Sequence, residues 1–429
     1  MRKLTPRNSS RPPSTEHPHA KPERKPIPKG ETRGGQQGRQ RHQRAIVPAE
    51  QCVAFVDCAP DGCRRCGGEL KVDHASPLRH QVWELPPIEP QITEYRRLRG
   101  HCPCCGISTL GPLPPDVPRG QCGPRLAAFT GLLMGHFRQS KRRAAAFLTD
   151  LLNVPCSPAW TVRIQNLVAA ALAEPYDELA RQLPDQGHLF VDESPTREAG
   201  RKAWLWTAVA RRFAVFGVFA DRSRESLLTL IGRNSSAVVH CDRAKMYLDG
   251  RPLQWCWAHL KRDLRARIES PDGKVRRLGH DLERYRKRIF MHWERFRAGA
   301  IDRGELRERM APERTEFEAL LLRGRYSGHR KLARFCTGLW NGRDHLWRFV
   351  DLEGIEPTNN TAERALRPAV IQRKLSFGTQ SKSGSHFLER MLTVSETCRL
   401  QGRNLYRYLI DATTAAFASR TAPSLLAVS

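Results

Sequence analysis

Between residues 187 and 259 the chain strings together short apolar runs whose order restricts the fold more than any other stretch. His188 to Asp192 (HLFVD), Trp204 to Ala210 (WLWTAVA) and Ala214 to Ala220 (AVFGVFA) are dense in β-branched and aromatic residues, which suit a pleated, half-buried surface. Ala210 to Phe213 has the length of a hairpin connection. Ser223 to Ile231 then reads as helix and Ala237 to Asp242 (AVVHCD) as a buried strand. Leu253 to His259 (LQWCWAH) reads as a further strand before a basic helix.

That succession is the order of a ribonuclease H-like α/β sheet, in which the first strand is central and the strand after the first helix lies beside it. Asp192 and Asp242 then end adjacent strands, at the edge where ligands gather in open α/β sheets. Further on, residues 356–368 read EPTNNTAERALRP. Thr358, Asn359 and Asn360 are residues that end loops and cap helices, and Ala362 to Arg367 is good helix former. Pro368 should break that helix, leaving Arg373 and Lys374 just beyond it. Glu363 on the first turn admits two readings. It can reach back to the free backbone donors as a capping residue, or it can serve as a third acid beside Asp192 and Asp242.

The rest of the chain is arranged around this sheet. Residues 266 to about 350 read as a helical insertion, with Leu278, Leu282, Tyr285, Ile289, Trp293 and Phe296 along one long amphipathic helix. Ser385 to Leu400 and Asn404 to Phe417 read as two closing helices. Upstream, residues 124–174 read as helices with short turns, and Ser157-Pro158 makes a cap and first turn. With Lys141, Arg142 and Arg143 nearby, a helix-turn-helix and an ordinary helical hairpin both fit. Earlier still lie two C-x-x-C pairs trailed by glycine, Cys63/Cys66 and Cys102/Cys105, with His80 to Leu98 reading as short strands between them. Four thiolates so paired suit tetrahedral zinc, with Cys104, His101, Cys58 and Cys52 as substitute ligands. Residues 1–45 are basic and almost free of aliphatic residues, so a disordered arm is expected. The expected divisions are therefore the arm 1–45, a zinc-ribbon-like module 46–118, a helical segment 119–185, a catalytic α/β domain 186–378 and C-terminal helices 379–429.

Charge points to the partner. Of 429 residues, 72 are Lys or Arg against 44 Asp or Glu, a formal net charge of +28. Such a balance favours a polyanion, nucleic acid before membrane. No apolar run approaches the roughly 18 residues of a membrane span, and the first residues lack a signal peptide's apolar core. A soluble cytoplasmic protein is expected. Thirteen cysteines, an odd number, suit reduced thiols and a metal site better than a disulfide framework.

Asp192, Asp242 and Glu363 on separate rigid elements are hard oxygen donors of the kind Mg²⁺ takes, alongside waters and substrate phosphate. The runs HLFVDES, RKAWLWTAV, CWAHLKRDL, EPTNNTAERALRP, QRKLSFGTQSKSG and QGRNLYRYL resemble the transposases of the insertion-sequence-sixty-six class, DDE-type enzymes with a ribonuclease H-like core. The resemblance extends over residues 50 to 412 or so. It implies that Asp192, Asp242 and Glu363 are the catalytic carboxylates, holding Mg²⁺ or Mn²⁺, and that the helical insertion precedes the third acid. It implies a homo-oligomer acting on double-stranded DNA, at element ends and target, with accessory proteins of the element as further partners. Arg64, Arg65, Arg364, Arg367, Arg373 and Lys374 are the expected DNA contacts. Cys256 and His259 resemble a C-x-x-H pair that many DDE enzymes carry, and a buried structural role is expected of them, since a pair is half a zinc site. Two departures stand out. Residues 1–45 show no apolar heptad seam, and HCDRAKMY fits the second-acid stretch loosely, leaving Asp249 as a fallback. The competing reading is a zinc-containing DNA-binding protein, or an inactive copy, that does not cut.

Overall fold

The computed structural model describes residues 44–75 and 77–426, so the expected basic arm lies outside the described residues save for Arg44 and Ala45. The described residues fall into two compact units, one reaching Glu89 and the other beginning at Pro90. In the first, Cys63 N–H donates to Gly68 O (2.9 Å) and Gly67 N–H to Cys63 O (2.8 Å), with Gly67 at φ +73° where a side chain would be strained. The strands expected within His80 to Leu98 do not form. Pro86, Pro87 and Pro90 lack backbone donors and cannot sustain a ladder.

The second unit opens with a hairpin of β1 (Arg99–His101) and β2 (Ser108–Leu110). Its turn repeats the first knuckle: Cys102 N–H donates to Ile107 O, Gly106 N–H donates to Cys102 O, and Gly106 has φ +70°. Helices α1 (Pro124–Gly135), α2 (Lys141–Leu152), α3 (Pro158–Ala171) and α4 (Ala173–Gln182) follow. Ser157 Oγ caps α3 by accepting from Trp160 N–H, as the Ser-Pro pair suggests. Lys141, Arg142 and Arg143 open α2 itself. The Lys141 ammonium is tucked against Gln165 of α3, and burial lowers its pKa to about 8.

The sheet comprises β3 (His188–Glu198), β4 (Arg201–Val209), β5 (Ala214–Phe219), β6 (Val238–Cys241) and β7 (Leu253–Trp255), with α5 (Arg224–Ile231) between β5 and β6. Its order is β5-β4-β3-β6-β7. The hairpin-linked strands β3, β4 and β5 pair antiparallel, whereas β6 and β7 run parallel to β3. Central β3 does not end at Asp192 as expected. It runs six residues further with β4, closed by Ala199 (φ +48°) and Gly200 (φ +75°), the two positive-φ positions of a tight hairpin. Pro195 is tolerated there because β6 has already ended, so that side of β3 needs no donor. Conversely β7 stops at Trp255, and Trp257 begins α6 (Trp257–Ile268). An unbroken apolar run such as LQWCWAH does not distinguish strand from buried helix. Here Trp257 packs fully buried against Phe290, Phe317 and Trp347.

The insertion is helical, with α7 (Gly273–Arg297), α8 (Arg303–Arg325), α9 (Arg330–Asn341) and α10 (Arg348–Asp351). It closes the β7 edge, where Gln254 Oε1 accepts from Phe349 N–H at 3.0 Å. Then come α11 (Asn360–Ser376), α12 (Lys382–Gln401) and α13 (Leu405–Phe417). Along the opposite edge, Thr397, Thr393 and Glu389 of α12 accept the N–H groups of Ala214, Phe216 and Val218 in β5. Their spacing of four lines one helix face with acceptors and covers an edge that would otherwise recruit another strand.

Pro368 lies inside α11 and does not end it. An interior proline costs about 3 kcal/mol. Ala362, Ala365, Leu366 and Ala369, on both sides of it, are buried against Phe190, Leu205, Val209 and Phe216 of the sheet. Three methyls and one leucine side chain offset the proline by about 4 kcal/mol. Among the described residues no helix is long and apolar enough to cross a membrane.

Candidate active site

Side chains alternate along β3, with Leu189 and Val191 entering the larger core while Phe190 meets α11. Asp192 therefore faces α11, and Glu193 faces away from it. The parallel register sets Phe190 opposite His240. Two residues further on each side stand Asp192 and Asp242, the latter just past the end of β6. Glu363 comes to the same place on the first turn of α11.

The capping reading of Glu363 does not hold. Asn359 makes no side-chain cap, and Glu363 Oε1 is buried with no hydrogen-bond partner. The charges of Asp242 and Glu363 reach Asp192, although among the described residues the oxygens of these three acids do not all lie within 4.8 Å of one another. Burial pushes the Asp192 carboxyl well above the usual range, and the charges of Glu193, Glu363 and Asp242 push it the same way. Burial also raises Glu363, against Arg262 and with Asp242. Asp242 and Glu363 keep 27% and 39% of their side chains exposed, so the cluster is reachable from solvent. The donor chemistry of three carboxylates and an unpartnered Glu363 oxygen suits a hard divalent cation, which would have to draw the acids closer than they stand here. Asp249 lies apart from this cluster, in ion pairs with Arg251 and Arg224.

Arg222 and Tyr247 carry no motif that reveals them in the sequence, whereas His259 belongs to the C-x-x-H pair already noted. Arg222 binds Glu193 and reaches Asp242 Oδ2 at 3.4 Å. Tyr247 O–H donates to the second oxygen of Glu193 at 2.5 Å. His259, one turn into α6, brings Nδ1 to 3.5 Å from Glu363 Oε1. Burial, with Arg262 nearby, lowers this imidazole's pKa to about 4, so it is neutral and the contact is not a charge pair. Cys256, His259 and Glu363 place one donor atom each within 4.8 Å of one another. The Cys256 sulfur, however, already accepts the N–H of Asn359 at 3.1 Å.

Of the expected DNA contacts, Arg64, Arg65, Arg364, Arg367 and Lys374 are exposed. Arg373 is not free as expected. Because α11 continues through Pro368, its guanidinium is carried over β3 and donates to Ser194 Oγ (3.1 Å) and the Pro195 carbonyl. In each cysteine knuckle the first thiol is held below its ordinary range by backbone N–H groups two and three residues on. For Cys63 these come from Arg65 and then Cys66; for Cys102, from Cys105 and then Cys104.

Comparison with known proteins agrees with this architecture. A family model described as Transposase IS66 family matches residues 119–386, more than half the chain. Two uncharacterized proteins of Sinorhizobium fredii are similar. One, y4jO, is 27% identical over 52% of this chain and 65% of its own length; the other, y4qI, is 25% identical over 53% and 47%. The chain thus spans less than two thirds of either relative.

Proposed function

The chain belongs to the IS66 family of transposases, and from that premise we propose that it is a DDE-type enzyme. It would hydrolyse one strand at the ends of a mobile element and join the freed 3′-hydroxyl to target DNA. The observation that carries this reading is that Asp192, Asp242 and Glu363 come from three separate elements to one end of the sheet, the β3–β6 register setting the first two on adjacent strands and α11, packed on the sheet, bringing the third on its first turn. The sheet order, with the first strand central and the fourth beside it, supports a ribonuclease H-like core.

Asp192, Asp242 and Glu363 are the residues that would hold Mg²⁺ or Mn²⁺. Bound there, the ion supplies Lewis acidity toward water, the 3′-hydroxyl and the scissile phosphate. The chain's own part is to bring the three carboxylates to one end of the sheet on rigid elements and to set cations against the burial that disfavours their charge. Arg262 favours the ionised form of Glu363, and Arg222 bridges Asp242 to buried Glu193. Arg364, Arg367 and Lys374 on α11 offer exposed cations for the DNA backbone, as do Arg64 and Arg65 on the first knuckle. Zinc is the ion proposed for the knuckle thiolates, Cys63 with Cys66 and Cys102 with Cys105, in a structural role. Double-stranded DNA, a homo-oligomer and accessory proteins of the element are the proposed partners.

The test is a labelled element end incubated with protein and Mg²⁺, with nicking and strand transfer read on a gel. Asp192→Asn, Asp242→Asn and Glu363→Gln should each abolish cleavage while DNA binding persists. Wild-type cleavage in these variants would overturn the assignment. A wild-type protein that binds ends but never nicks them would favour a non-catalytic DNA binder.

A further inference from the structure

The loop that delivers Glu363 is sewn to the strands that carry the other two acids. Glu356 N–H donates to His240 Nε2 at 3.1 Å, so Nδ1 carries the proton and donates to Leu189 O at 3.3 Å. Trp257 N–H donates to Pro357 O at 2.9 Å. Asn359 N–H donates to Cys256 Sγ at 3.1 Å, and Asn359 Nδ2 donates to Val191 O at 2.7 Å. His240 lies two residues before Asp242, and Val191 is the residue before Asp192. Asn359 is four residues before Glu363, one helical turn. Asn359 and His240 are 1% and 0% exposed, so water cannot replace these bonds. Helix α11 could begin at Asn359 with an ordinary side-chain cap; the amide is turned away from that role onto β3 instead.

We propose that Asn359, bonded to Cys256 and Val191 and seconded by the Glu356–His240 bond, is a positioning residue that sets the distance of Glu363 from Asp192 and Asp242 and so sets the affinity of the cluster for divalent cation. The inference rests on the catalytic reading above. It gives Cys256 the part of a hydrogen-bond acceptor and not of a metal ligand. Supporting residues behind a metal site commonly change affinity by about 10- to 100-fold when removed.

The test is a calorimetric titration of the metal-free full-length chain with Mn²⁺, beside the cleavage assay and an unfolding midpoint without metal. Asn359→Ala should weaken Mn²⁺ binding by about tenfold or more, and saturating Mn²⁺ should restore part of the cleavage. Cys256→Ser keeps an acceptor for the Asn359 N–H and should stay within about threefold of wild type in Mn²⁺ affinity, whereas Cys256→Val should resemble Asn359→Ala. The Ser/Val contrast survives even where Asn359→Ala folds poorly. Wild-type Mn²⁺ affinity in Asn359→Ala, or equal loss in Cys256→Ser and Cys256→Val, would overturn the clasp. Glu363→Gln separates the two readings. If it binds Mn²⁺ and cleaves like wild type, the catalytic assignment falls and the clasp with it; if it loses both while Asn359→Ala does not, the clasp alone fails.

Discussion

Tyr247→Phe removes one oxygen from a buried ring and leaves a buried carboxylate short of a donor. The ring is 1% exposed and the Glu193 side chain 2% exposed, with 2.5 Å between phenol and carboxylate oxygens. Arg222 occupies the other Glu193 oxygen, so no spare protein donor is at hand. A hydrogen bond to a charged group contributes about 1.5–3 kcal/mol, and losing a hydroxyl leaves no methyl-sized cavity. A deficit of about 2 kcal/mol is therefore expected at neutral pH. Urea unfolding followed by tryptophan fluorescence reads it, because Trp206 is wholly buried with its ring 6.3 Å from that of Tyr247.

The pH dependence of that deficit is the sharper test. Burial raises the Glu193 carboxyl, while Tyr247 and Arg222 pull it down. A raised folded-state pKa contributes stability that is fully present below the unfolded value of 4.5 and lost as pH rises through the folded value. Without the Tyr247 donor the folded value climbs further, so the variant loses more on going to neutral pH. In acid both forms are protonated, and the deficit should shrink to about 1 kcal/mol, that of a neutral hydrogen bond. Equal deficits in acid and at neutral pH would refute the argument, since Tyr247 would then not be bonded to an ionising group.

The acid cluster predicts a second pH effect. Because Asp192 and Glu363 are both raised, the metal-free protein loses their contribution as pH rises through their folded values. Mg²⁺ should relieve that repulsion, so the rise in unfolding midpoint on adding Mg²⁺ should be larger at neutral pH than in mild acid, as thermal scans of both will show; a pH-independent rise would contradict the cluster. Cys63→Ser should lower the zinc content measured by elemental analysis and weaken binding to element ends more than it weakens metal-dependent cleavage. Unchanged zinc in that variant would remove Cys63 from the ligand set.

Much of the candidate site was legible as separate pieces. The runs HLFVD and AVVHCD announce strands with an acid at their ends, Ser157 and Ser223 announce helix starts, and NNTAER announces a helix bearing Glu363. These signals are local: propensity, periodicity and capping act over a few residues, so a few residues reveal them. Where locality misleads, the cause is a distant partner. Pro368 reads as a break, yet α11 runs on because its apolar side is buried on the sheet. Asn359 reads as a cap, yet its amide bonds Val191, 168 residues away. Trp257 reads as strand, yet it packs as the first turn of a helix against the insertion.

Composition, the paired cysteines and the order of apolar runs were thus determined by the chain alone, because each depends only on residue type and spacing. Tertiary structure decided the rest: that Asp192 and Asp242 stand side by side, that Glu363 is left uncapped and faces a neutral His259, and that Arg222, Tyr247 and Arg262 surround them. Register between strands and the seating of a helix on a sheet are summed over many weak contacts, and no single stretch of sequence carries that sum.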